Sequence, residues 1–323
     1  LIREFADDGG KKGGEFYTPK EVVKLVVSLI KPEAGNSVYD PTCGSGGMLI
    51  QSANYIKKSG GTVGKFVDAK LYGQEKNLGT WAICKINMIV HNFKDSDIRK
   101  GDTLSKPQHL ENGELMTYDR VIANPPFSLK KWWAPAEIDV KNDENGKEIS
   151  PKYNSVVSDD FGRFNYGIPP RGYGDLAFVQ HMISVLKNDG RMGVVLPHGI
   201  LFRGSTERKI REGLLKNDLI EAIIGLPENL FYNTSIAASI IIINKSKAEN
   251  LKNKVVFIDA SNEYKDGKNQ NTLTDENINK VVDGYDGLVD IDKFMRAVDI
   301  VEIAENDYNL NISRYIDTSD EEV

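Results

Sequence analysis

Apolar positions along this chain switch repeatedly between helical and strand spacing. Val22, Val23, Val26, Leu29 and Ile30 recur at helical spacing and predict a helix that stops before Pro32. Thr18 and Glu21 have the spacing of a capping box at its start, with Pro19 at the first helical position. Residues 37–40 and 69–75 read as short strands, each followed by a helix over 48–57 and 77–91. The second of these helices is apolar nearly all round (Trp81, Ile83, Cys84, Ile86, Met88, Ile89, Val90), which predicts that most of it is core, Cys84 included. Val121-Ile122-Ala123 ends a buried strand, because Pro125 and Pro126 lack the N–H that a continuing strand or helix needs.

Downstream, residues 175–186 predict an amphipathic helix with Leu176, Phe178, Val179, Met182, Ile183, Val185 and Leu186 inward. Asp189-Gly190 turns into a strand over 191–196 that Pro197 breaks. Strands at 219–226 and 237–243 are joined by a connection too short for a parallel crossover, so they predict an antiparallel hairpin at one edge. A strand at 255–258, a helix at 276–282 and a polar, acidic end follow. Strands alternating with helices predict an α/β fold, a mainly parallel doubly wound sheet with that antiparallel edge hairpin.

Two stretches lack a period. Residues 1–14 are polar and Gly-rich and read as a mobile lead-in. Residues 128–174 hold Lys130-Lys131-Trp132-Trp133, a charged run over 141–148, and Tyr153, Phe161, Phe164, Tyr166 and Tyr173. A long loop inside a compact domain is functional or disordered. Aromatic and basic residues together there suggest a lid over an extruded nucleotide. The helix at 206–215 is basic (Arg208, Lys209, Arg211): a solvated face, or a phosphate contact where it nears a cleft.

Composition narrows the partners. The net charge of −6 excludes an overall basic surface, so any nucleic-acid role borrows charge from a partner. No apolar run reaches the length of a membrane span, so no membrane partner is expected. Two cysteines suggest a reducing cytoplasm, and four scattered histidines show no zinc spacing, so no metal is expected. The chain opens on Leu1 rather than Met, which suggests a fragment.

The chemistry concentrates in a few short motifs. Asp40-Pro41-Thr42-Cys43-Gly44-Ser45-Gly46-Gly47 is a strand end, a Gly-rich turn and a helix start, the cradle of a nucleotide-like ligand. The dinucleotide pattern fails at Leu49, and the Gly-Lys-Ser/Thr ending of a P-loop is missing. Asp40 repels a pyrophosphate and suits an ammonium group, so S-adenosylmethionine fits better. Glu75, at the end of the second strand, is placed to accept both ribose hydroxyls, or else to start the next helix favourably. Asp102, in Gly101-Asp102-Thr103-Leu104, is a candidate acceptor for the adenine amine of that cofactor, or a solvated turn residue. Phe16 and Tyr17 suit equally a hydrophobic staple and a ligand wall.

Asn124-Pro125-Pro126-Phe127 completes the set. Asn124 before a proline is held extended, so its side-chain amide and the Pro125 carbonyl can aim two acceptors at one point beside the Phe127 ring. An exocyclic –NH2 on a planar heterocycle needs such a receptor.

Together these residues resemble the adenine-N6 DNA methyltransferases, most closely the methylation (modification) subunit of type I restriction–modification systems. The likeness runs from residue 14 to about 315 and rests on Gly14–Pro19, Asp40–Gly47, Gly101–Leu104, Asn124–Phe127, Phe231–Ile236 and Asp307–Asn311 in that order. It implies the class I S-adenosylmethionine-dependent methyltransferase fold. It implies that Asn124, Pro125, Pro126 and Phe127 hold a flipped adenine of double-stranded DNA. Glu15, Phe16, Tyr17, Thr18, Asp40, Thr42, Cys43, Gly44, Ser45 and Gly46 would then hold S-adenosylmethionine, with Glu75, Asp102, Thr103, Leu104 and Asn124. The implied partners are a specificity subunit that reads the site, a second copy of the chain and a restriction nuclease subunit. In domain terms, 1–14 would be the remnant of an N-terminal helical domain, 15–315 the catalytic domain and 316–323 a truncated tail. Two readings stand beside this one: a glutamine or guanine-N2 methyltransferase, and a cofactor-binding scaffold inactive without its specificity subunit.

Overall fold

The computed structural model describes residues 18–63, 66–133, 141–142, 145, 148–149, 159–231 and 235–318. Its main elements in chain order are α1 (Lys20–Ile30), β1 (Ser37–Asp40), α2 (Gly47–Lys58), β2 (Lys70–Glu75), α3 (Leu78–Val90), β3 (Asp97–Lys100) and β4 (Tyr118–Ala123). After the insert come α4 (Asp175–Ser184), β5 (Leu186–Pro197), α5 (Ser205–Lys216), β6 (Ile220–Gly225), β7 (Ala238–Asn244), β8 (Lys254–Asp259), α6 (Asp275–Gly287), β9 (Met295–Asp299) and α7 (Ile300–Glu305).

The strands form one nine-stranded sheet in the order β9-β8-β6-β7-β5-β4-β1-β2-β3. β3, β2, β1, β4 and β5 run parallel, and β7 enters antiparallel between β5 and β6. From β1 the chain winds outward through β2 to β3, then returns to the other side of β1 for β4. The strand order therefore reverses between β1 and β4, and helix connections leave to opposite sides there. That opens a crevice at the carboxyl ends of these two strands. Apolar layers cover both sheet faces: Val22, Val26, Leu49 and Ile122 belong to one, Val121, Val179, Met192 and Leu214 to the other.

The fold corrects several expectations. The Thr18–Glu21 capping box does not form: α1 starts behind Pro19 without a side-chain cap, and the Thr18 hydroxyl bonds Asn124 instead. α3 buries only Thr80, Cys84 and Met88, while Ile86, Ile89 and Val90 are 59%, 54% and 69% exposed. It lies over β2 and the terminal strand β3, where the sheet ends and only one helix stripe has a surface to cover. α4 stops at Ser184 and β5 begins at Leu186, paired with Tyr118, before a register shift up to Arg191. The β6–β7 pair is antiparallel but interior, because β8 and the unpredicted β9 extend the sheet beyond it.

On α5, Arg211 is buried rather than solvated: its guanidinium donates to the carbonyls of Ile200, Arg203 and Tyr308. In the described part of the insert, Trp132, Trp133 and Arg163 are buried while Lys130, Lys131 and Tyr173 are exposed. Trp132 and Trp133 are buried with Leu104, Ala177 and Phe178, and Trp132 Nε1 donates to the Pro170 carbonyl at 3.0 Å. Tyr153 and the side chains of the charged run, Asn145 apart, lie outside the described residues. Among the described residues no helix is long and apolar enough to cross a membrane, and no His/Cys/Asp/Glu cluster is arranged for a metal.

Candidate active site

β1 and β4 pair in parallel with Val38 opposite Arg120 and Tyr39 opposite Val121. This register is pinned at the strand starts. Asp119 accepts from the Ser37 N–H at 2.8 Å, the Ser37 hydroxyl at 2.6 Å and the Lys187 ammonium at 2.8 Å. Burial would raise the Asp119 carboxyl, but these donors outweigh it and hold it at about 2. With the register set, Asp40 and Asn124 leave the sheet side by side, at the reversal of strand order.

Beyond β1 the chain must turn sharply and start a helix. Gly44 and Gly46 take φ of +53° and +86°, a left-handed backbone that glycine adopts at little cost. A Cβ on Gly46 would lie 2.6 Å from Met88 Cε and 2.9 Å from Cys84 Sγ, so the turn can sit against α3 only with glycine there. The Thr103 hydroxyl donates to the Pro41 carbonyl at 2.5 Å, tying the loop after β3 to the same turn.

These elements enclose a cavity of about 610 Å³. Asp40, Thr42, Cys43, Gly44 and Ser45 line one wall, Glu75, Asp102 and Thr103 a second, and Thr18, Asn124 and Pro126 a third. Thr18 and Asn124, 106 positions apart in sequence, are thus brought to one opening, Asn124 Nδ2 donating to Thr18 Oγ1 at 3.0 Å. The other end of that amide, Asn124 Oδ1, is buried and has no hydrogen-bond partner. A buried acceptor without a partner carries a desolvation cost that a ligand's donor would relieve.

Three carboxylates dominate the electrostatics. Asp40 accepts from the Thr42 N–H at 2.9 Å, yet burial, with the Glu75 charge adding to it, pushes its carboxyl up to about 8. Glu75 is raised by burial too, although it accepts from the N–H groups of Gly44 at 3.1 Å and Asn77 at 2.7 Å. Asp102 closes an Asx turn, its Oδ1 accepting from the N–H of Leu104 at 3.0 Å and of Ser105 at 3.2 Å, and it pairs with Lys76 at 2.7 Å. The set suits a ligand carrying an ammonium, hydroxyls and an amine, and opposes a polyphosphate.

Some expected site residues stand elsewhere. Leu104 is fully buried among Trp132, Ala177 and Phe178 and does not line the cavity. Gly46 faces α3. Pro125 is buried outside the lining, and the Phe127 ring packs edge-on to Phe231, centroids 5.6 Å apart at 68°. Glu15, Phe16 and Tyr17 lie outside the described residues. The lining also includes Lys76, Asn77, Leu78, Leu129 and Phe178, which sequence reasoning did not assign to the site. Lys76 and Asn77 adjoin Glu75, a local signal. Phe178 sits in the apolar stripe of α4, where nothing local separates a lining position from core.

A parallel sheet with its strand order reversed above a Gly-rich turn, an acidic residue closing the next strand, and an Asn-Pro-Pro-Phe corner define the class I S-adenosylmethionine-dependent methyltransferase fold. The family model for N-6 DNA Methylase matches residues 1–323, and the chain belongs to that family. It is 41% identical over 310 residues to the type I restriction enzyme MjaVII methylase subunit of Methanocaldococcus jannaschii, covering 94% of this chain and 50% of that protein. To the HindI methylase subunit of Haemophilus influenzae it is 32% identical, covering 100% of this chain and 68% of that one. The crystal structure of a type I restriction–modification methyltransferase subunit from Streptococcus thermophilus superposes with a TM-score of 0.81 at 37% identity, covering 98% of this chain and 62% of that one. The chain spans about half the length of the first two of its curated relatives.

Proposed function

We propose that this chain transfers a methyl group from S-adenosylmethionine to N6 of an adenine flipped out of double-stranded DNA, as the modification subunit of a type I restriction–modification complex. The observation that carries the reading is Asn124 Oδ1: a buried acceptor without a partner, in the same cavity as the Gly44 turn. Membership of the N-6 DNA Methylase family speaks against the glutamine and guanine-N2 readings.

The cavity fits the cofactor on its own terms. Asp40 takes the ammonium, Glu75 the ribose hydroxyls and Asp102 the adenine amine, with the Thr42 hydroxyl beside Asp40 at the methionine end. When bound, S-adenosylmethionine supplies a methyl group on a positively charged sulfur, which departs with the bonding pair as a neutral thioether. The chain's task is to prepare the acceptor. The lone pair of adenine N6 is delocalised into the ring, which makes it a poor nucleophile. Accepting its two hydrogens at Asn124 Oδ1 and the Pro125 carbonyl favours a tetrahedral nitrogen with a localised pair. Phe127, braced by Phe231, flanks the base. Once N6 carries the methyl group it is positive and releases a proton. Positioning of this kind lowers a barrier by several kcal/mol.

The base must leave the duplex to reach the cavity. With a net charge of −6, the chain relies on a specificity subunit for most of its grip on DNA, and a second copy and a nuclease subunit complete the assembly, in the cytoplasm. The test is Asn124→Ala in the full chain with its specificity subunit. Binding of radiolabelled S-adenosylmethionine should persist while tritiated-methyl transfer to DNA is lost. Full transfer by the variant would reject the assignment.

A further inference from the structure

Behind the cavity wall the polar contacts converge on Arg163, a residue that the reading above leaves without a role. It lies on the returning limb of the insert, and its side chain is 1% exposed. Nη1 donates to the Thr103 carbonyl at 3.0 Å and Nη2 to the Leu104 carbonyl at 2.6 Å. Nε donates to Asp159 Oδ1 at 2.8 Å, and the Arg163 backbone N–H donates to the other Asp159 oxygen. Nη1 also reaches His181 Nδ1 at 3.1 Å. A guanidinium only donates, so Nδ1 accepts and the His181 proton sits on Nε2, facing the Tyr39 hydroxyl at 3.4 Å. Phe161 and Phe164 rings lie 5.7 Å and 5.4 Å from the guanidinium carbon.

We infer that Arg163 is a positioning residue for the cofactor site, latching the Asp102–Leu104 wall to the insert. The inference rests on the proposed function, because it concerns how that site is held. The wall is a turn, with no ladder of its own to satisfy the Thr103 and Leu104 carbonyls. One planar fork bonds both carbonyls and His181 together, which a lysine ammonium on a flexible stem does not match. Thr103, so fixed, hydrogen-bonds Pro41 at the start of the glycine turn, and Leu104 presents its N–H to Asp102. The latch therefore sets two walls of the cavity from a residue that touches neither ligand.

The experiment compares Arg163→Met, Arg163→Lys and Asp159→Asn with the wild-type full chain and its specificity subunit. Equilibrium binding of radiolabelled S-adenosylmethionine and steady-state kinetics are measured on protein whose folded fraction is checked by melting. In Arg163→Met, Kd and KM for S-adenosylmethionine should rise about tenfold, the cost of stranding buried carbonyls, with KM for DNA unchanged. Arg163→Lys should recover part of that loss, and Asp159→Asn, which keeps the fork, should show a smaller rise in the same direction. A fall in kcat alone, with cofactor KM unchanged in all three variants, would mark Arg163 as merely structural and overturn the inference. Wild-type chain that fails to bind S-adenosylmethionine overturns the proposed function and the latch together. Wild-type binding with undiminished binding by the folded variants overturns only the latch.

Discussion

The Asn124 side-chain amide donates to the Thr18 hydroxyl at 3.0 Å across 106 positions of sequence. That bond consumes the donor end of the amide and leaves Oδ1, the acceptor end, buried without a partner. Thr18 thus decides which way Asn124 points. Thr18→Val keeps the size of the side chain and removes the bond. The expected result is a fall in kcat for methyl transfer of about tenfold, from lost orientation, with the cofactor Kd little changed. Single-turnover methyl transfer checks it, and an undiminished rate would show that Asn124 is oriented by other contacts.

Asp40 gives the site a pH dependence whose sign follows from its raised carboxyl. Burial holds the proton on up to about 8, whereas an ammonium-bearing cofactor needs the ionised form. Affinity for S-adenosylmethionine should therefore increase as pH rises toward about 8, and binding below that pH should release a proton. Calorimetry in two buffers of different ionisation enthalpy counts that proton. In the free protein the unfolded chain ionises first, from the usual carboxyl value of 3.8, so this group's contribution to stability declines between there and about 8. Asp40→Asn should remove that decline, seen as a flatter dependence of Tm on pH.

Asp119 has the opposite sign. Its carboxyl is held at about 2 against a usual 3.8, so its stabilising bonds to Ser37 and Lys187 are fully present above 3.8 and are lost as pH falls through about 2. Asp119→Asn should cost about 1–2 kcal/mol at neutral pH and progressively less in acid. Denaturant melts at both pH values measure it. An equal cost at both would place the effect in packing rather than charge.

Gly46→Ala tests the turn. The new methyl would meet Met88 and Cys84 at under 3 Å, and φ of +86° disfavours any side chain. A loss of roughly 2 kcal/mol is expected, together with weakened cofactor binding, because the turn must shift to relieve the clash. Urea melts and equilibrium dialysis read the two effects separately.

What local chemistry controls was legible in the residues. Pro125 and Pro126 stop β4, the glycines after Asp40 permit the turn, and helical or alternating apolar spacing placed α1, α2, β1 and β2 within a residue or two. These depend on φ restrictions and on periods that each segment carries within itself. The motif order likewise pointed to the family, since the same short segments recur at the carboxyl ends of successive strands.

What tertiary structure decided were choices among competing partners. The Thr18 hydroxyl can cap α1 or hold Asn124, and only the approach of β4 selects the second. Ile86, Ile89 and Val90 of α3 stay exposed because the sheet ends at β3, and β6–β7 lies inside the sheet because β8 and β9 pair beyond it. Leu104 turned to core neighbours, and Arg163, in a stretch with no period, became the fork behind the Asp102–Leu104 wall. A side chain's own chemistry limits what it can bond; which bond forms depends on what the fold brings within 3 Å, and sequence spacing carries no measure of that distance.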